Sequence, residues 1–148
     1  MNALLIFLHL VAAVTWMGGM GFILLAMRPA AFAVLQAPVR PQFILASLQR
    51  FFPLVWLSIA VILLSGLIVM LQVGFASAPV GWHAMLGIGL VMMAIFAGIY
   101  FAPFRRARAA SVAQDWPAVG RALEQIHPLV VLNFTLGWIA IALVLFWH

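Results

Sequence analysis

Four apolar stretches, residues 4–27, 53–75, 82–104 and 128–147, constrain the fold of this chain more than any other feature. A hydrocarbon core about 30 Å thick is crossed by roughly 20 helical residues, and each stretch is at least that long. The runs are continuous rather than alternating over about ten residues, so helices are expected instead of a barrel. Of the 148 residues, 68% are hydrophobic and 6% charged, where a soluble domain has about a quarter charged, so no room remains for one. The expected fold is all-α, an integral membrane four-helix bundle occupying residues 1–148 as a single four-span domain. The first stretch has no basic region before it and is longer than the roughly 7 to 15 residues of a signal-peptide core, so it reads as a retained helix.

Charge sets the expected orientation. All the arginines, Arg28, Arg40, Arg50, Arg105, Arg106, Arg108 and Arg121, lie in or beside the first and third connections, and the second connection has none. Under the positive-inside rule those two connections are cytoplasmic and both termini are periplasmic, in a multi-pass protein of a bacterial inner (plasma) membrane. The pI near 11.9 therefore points to a lipid bilayer as partner and not to nucleic acid. Within the first connection, Arg28-Pro29 should end the span, and residues 42–52 should form a short interfacial helix before Pro53 opens the next span. In the third, Asp115-Trp116-Pro117 has the pattern of a helix start with Asp115 as cap.

An ionisable residue at membrane depth is a functional-site candidate, and His9 is the one such residue inside the first stretch. Helical spacing places Trp16 and Met20 on its face, while Gly18, Gly19 and Gly21 should let a neighbouring backbone approach. His83 follows the interfacial Trp82, near the same surface as His9. Gly87, Ala94 and Gly98 share the His83 face as a small-residue track suited to close packing. Met85, Gly89, Met92 and Phe96 form a second stripe about 160° away, so either His83 or Met85 must turn from any common site. Ser58 and Ser65 share one face of the second span and are expected to serve helix packing, and Asn133 to bond across helices as a supporting residue. His127 and His148 are expected to have no role.

With no cysteine, thiolate ligands and disulfides are excluded, and with no cluster of carboxylates so are magnesium, calcium and di-iron centres. Imidazole and thioether are the donors expected for copper, above all Cu(I), and for the axial positions of haem iron. The candidate ligands are His9, His83, Met85 and Met20, supported by Trp16 and Asn133.

Leu8-His9-Leu10, Ala13, Trp16-Met17-Gly18-Gly19 and Arg28-Pro29 resemble the first helix of the copper-resistance protein D (CopD) membrane domain. The same segment is similar to the opening of the HemJ-type four-helix membrane proteins. Gly81-Trp82-His83-Ala84-Met85-Leu86 resembles the HemJ-type motif with Met85 in the place of a lysine. The CopD resemblance implies an inner-membrane protein that binds copper for transfer, uptake or resistance, in partnership with a periplasmic copper carrier. The HemJ resemblance implies the alternative, a haem b redox protein with His9 as axial ligand, His83 or Met85 opposite, and an electron donor as partner. Met85 cannot act as the lysine does, so porphyrinogen oxidation is not expected, and an enzyme follows only if haem is bound. The small-residue faces also allow a homo-oligomer.

Overall fold

The computed structural model describes residues 3–147 and is helical over most of their length. Four helices, α1 (Ala3–Val34), α2 (Val39–Val73), α3 (Val80–Val112) and α4 (Trp116–Phe146), are each long and apolar enough to cross a membrane. The protein is thus an all-α, multi-pass membrane four-helix bundle. The connections, residues 35–38, 74–79 and 113–115, are short enough to make successive helices antiparallel. Mainly α1 packs on α2 and α3 on α4, giving two hairpins joined through contacts of α4 with α1 and α2. Val14, Leu25, Leu57 and Leu71 are each more than 60% exposed, a surface that hydrocarbon covers without cost.

The helices are longer than the apolar stretches led us to expect. At 31 to 35 residues they measure about 47 to 52 Å, well over the hydrocarbon thickness. The excess collects at one end, because helix and apolar stretch end together at residues 3–4, 73–75, 80–82 and 146–147 but not at the other end. All the arginines belong to this overrun, which we call the arginine end. Three expectations are corrected accordingly. Arg28-Pro29 does not end α1, residues 42–52 are not a separate interfacial helix, and α4 begins at Trp116 rather than near Pro128.

Prolines are carried within these helices in two ways. A π-helical turn, Ile23–Met27, precedes Pro29, and another, Tyr100–Phe104, contains Pro103. The wider turn absorbs the missing N–H and the clash of the ring with the preceding turn. Pro53 and Pro128 instead sit inside continuous α-helix with their rings at the exposed surface.

Between α3 and α4 the chain reverses in three residues. Gln114 takes the left-handed region (φ 55), the Asp115 N–H donates to the Ala110 carbonyl at 3.0 Å, and the Gln114 N–H donates to that of Ser111 at 3.1 Å. This pair of bonds closes α3 as a Schellman motif. The Asp115 carboxylate then accepts from the Ala118 N–H at 3.1 Å, the cap expected from the sequence.

The glycines do not all do what their spacing implied. At Gly19 the space of a Cβ is taken by the Phe51 ring, and at Gly21 the Phe134 ring lies 3.3 Å from it, so side chains rather than backbones fill these gaps. Gly87 and Gly98, with nothing within 4 Å of the added Cβ, lie with Ala94 on an exposed face; that track is not a packing surface within the chain. True backbone contact occurs at Gly81, where a Cβ would stand 2.5 Å from the Trp147 carbonyl oxygen and 2.6 Å from that of Leu143. Midway along the bundle, edge-to-face rings make the core: Phe52 lies 5.1 Å from Phe96 and 4.5 Å from Phe104, and Trp16 lies 6.3 Å from Phe96 between ring centroids.

Candidate functional site

His9 lies on α1 two turns from its arginine-free end, against α2. Its Nδ1 is 2.9 Å from Ser65 Oγ. The single hydroxyl proton of Ser65 is directed to the Val61 carbonyl at 2.5 Å, with the Ile62 carbonyl at 3.3 Å, so toward the imidazole Ser65 can only accept. His9 therefore donates from Nδ1, and in the neutral ring Nε2 keeps its lone pair. A hydrogen bond on one nitrogen that presents the other is how proteins orient a metal-ligating histidine. Gly66 makes room for the ring, since a Cβ there would meet His9 Cε1 at 3.4 Å. The serine read as a packing residue is thus the partner that holds the imidazole.

The ring borders a cavity of about 330 Å³ between the helices. Five of the eight methionines, Met17, Met70, Met85, Met92 and Met93, line it, and these thioethers are its main potential ligands beside His9. They form two tiers by helix position. Met70 and Met85 are near the arginine-free ends of α2 and α3, at the level of His9. Met17, Met92 and Met93 are roughly 10 to 12 Å deeper, eight residues below His9 and seven or eight below Met85. In the deeper tier the Met17 thioether occupies the space that a side chain at Gly137 would need, and Met92 Cε lies 3.3 Å from the same point. Gly137 on α4 thereby admits two methionines from two other helices.

Of His83 and Met85, one of which spacing required to turn away, the structure turns His83, and it also parts Met20 from His9. Met85 lines the cavity, whereas His83 is exposed on the other side of α3, its Nδ1 3.2 Å from the Pro79 carbonyl and its ring 6.4 Å from that of Phe75. His83 is not brought to His9. Met20 is buried in the core but does not line the cavity. Eleven residues return it to the azimuth of His9 but carry it about 16 Å along the axis, too far to share an ion. Trp16 is buried at the deeper tier and lines the cavity. Asn133, 1% exposed, donates from Nδ2 to the Met92 carbonyl at 3.1 Å, the expected bond across helices, while its Oδ1 has no partner. His148 lies outside the described residues.

Met17, Met70 and Met93 were missed because each is off the face chosen for its helix; their number in so short a chain was the available signal. Among the described residues no three His, Cys, Asp or Glu side chains come together. The family model described as copper resistance protein D matches residues 45–147, from within α2 to the end of α4. The first helix, with His9, precedes the matched region. No curated protein and no solved structure matches the chain.

Proposed function

We propose that this chain, which belongs to the copper resistance protein D (CopD) family, binds copper as Cu(I) between His9 Nε2 and the methionine thioethers of the cavity. The family makes it a membrane protein related to copper resistance; the binding site is our reading. One observation carries it. Ser65 Oγ, its own proton directed to Val61, lies 2.9 Å from His9 Nδ1 and accepts that N–H, which leaves the Nε2 lone pair beside a cavity lined by five thioethers. Soft sulfur with imidazole suits Cu(I), and the lining has no carboxylate to attract harder ions.

The two tiers offer successive positions, His9 with Met70 and Met85 at the mouth, then Met17, Met92 and Met93 below. Beyond the deeper tier stands Asn133, whose unpartnered Oδ1 is a ready acceptor for a cation leaving the sulfurs. Copper is cargo in this reading and the protein is not an enzyme. With the arginine end cytoplasmic, the mouth faces the periplasm of a bacterial inner membrane, where a copper carrier would supply it. Haem b fits less well: of its two axial partners for His9 only Met85 shares the cavity, and no arginine lines it to meet propionates.

The test is Cu(I) titration of purified protein under reductant against a chromogenic chelator. His9→Ala and Met85→Leu should each weaken binding at least as much as loss of an outer-shell partner does, about 10- to 100-fold. Affinity equal to wild type in both variants would refute the site, and a haem absorption band on the purified protein would replace copper by the alternative.

A further inference from the structure

A larger cavity, about 530 Å³, lies at the arginine end among α1, α2 and α4 and shares no lining residue with the methionine-lined cavity. Its volume is in the range of ligand pockets, roughly 300 to 1,000 Å³. The cavity spans the boundary between the apolar stretches and the arginine-bearing overrun. Ile23, Leu24 and Val130 wall the part within the apolar stretches, whereas Arg28, Arg40 and His127 border the part beyond them. The two guanidinium carbons each lie 4.5 Å from the centroid of the Phe32 ring, so two like charges are gathered on one side chain. Arg40 Nε donates to the Leu35 carbonyl at 2.8 Å, which fixes its head group in place. Glu124 is the one carboxylate in the lining, it is exposed, and no ion pair with either arginine is formed among the described residues. At Gly120 an added Cβ would meet nothing within 4 Å, so the cavity reaches the backbone of α4.

An apolar inner wall under an excess of cations is complementary to an anionic amphiphile placed at headgroup depth. We propose that this cavity binds an anionic phospholipid of the leaflet at the arginine end. The phosphate is held by Arg28 and Arg40, with His127 beside it, and the first part of an acyl chain lies against Ile23, Leu24 and Val130. Basic pockets between membrane helices recognise lipid headgroups through this combination, and each cation contributes a factor of about five.

Native mass spectrometry of the full-length protein, incubated with phosphatidylglycerol or with phosphatidylcholine of the same acyl chains, tests the assignment. Wild type should retain phosphatidylglycerol in preference to phosphatidylcholine. The double variant Arg28→Gln, Arg40→Gln should bind it about thirtyfold more weakly. Gly120→Leu keeps every charge and raises helix propensity, so it should fold as well as wild type and yet lose the lipid by filling the cavity. Equal retention of the two lipids, or undiminished phosphatidylglycerol on Gly120→Leu, would overturn the proposal. So would protection from thermal unfolding by inorganic phosphate as strong as that by phosphatidylglycerol, which would mark a simple anion site.

Discussion

At the scale of single residues, the pairing of His9 with Ser65 decides what the imidazole can do. An unbonded histidine in a membrane interior is costly, and this bond offsets part of that cost while selecting the tautomer. Ser65→Ala should therefore leave the bundle folded but lower Cu(I) affinity about 10- to 100-fold, as loss of an outer-shell partner does at other metal sites. The same chelator competition reads the effect, and an unchanged affinity would mean that Ser65 only fills space. His9 was legible in the sequence because ionisable residues are rare in apolar stretches. Its partner was not, since a membrane serine more often bonds its own helix, and Ser65 does that as well.

Among the elements, α3 shows how differently two glycines of one helix can act. Gly81 brings α3 against the backbone of α4, whereas Gly87 faces open space. Gly81→Ala should cost about 1 to 3 kcal/mol by forcing two backbones apart. In contrast, Gly87→Ala should be neutral or stabilise by up to about 1 kcal/mol through helix propensity. Thermal unfolding of the two variants in detergent compares them directly, and equal shifts would contradict the close approach at Gly81. The helix ends were misjudged for a related reason. Apolar stretches report where hydrocarbon begins and ends, whereas a helix continues wherever its backbone bonds are met, including past Pro29, Pro53 and Pro128.

For the molecule as a whole, the arginines at one end and the methionine-lined cavity at the other give the bundle a polarity that insertion should convert into an orientation. In this cysteine-free chain, Ser77→Cys in the connection before α3 and Ala113→Cys in the one before α4 place single thiols at exposed positions on opposite ends. With intact spheroplasts and a membrane-impermeant thiol reagent, Ser77→Cys should label and Ala113→Cys should not. The reverse pattern would put the mouth of the methionine cavity in the cytoplasm and remove a periplasmic copper carrier from the reading.

Legible from the residues alone were the four apolar helices, the Asp115 cap, the segregation of arginine to one end and the absence of cysteine. The first three follow from solvent preference or local backbone chemistry, which act along the chain. Tertiary structure alone decided that Met85 and not His83 shares a cavity with His9, that Met17 fits against Gly137, and that Met20 lies elsewhere. The physical reason is that helical periodicity specifies an azimuth on one helix. Which side chains meet depends also on the rotation and axial register of neighbouring helices, and these are set only when their surfaces pack together.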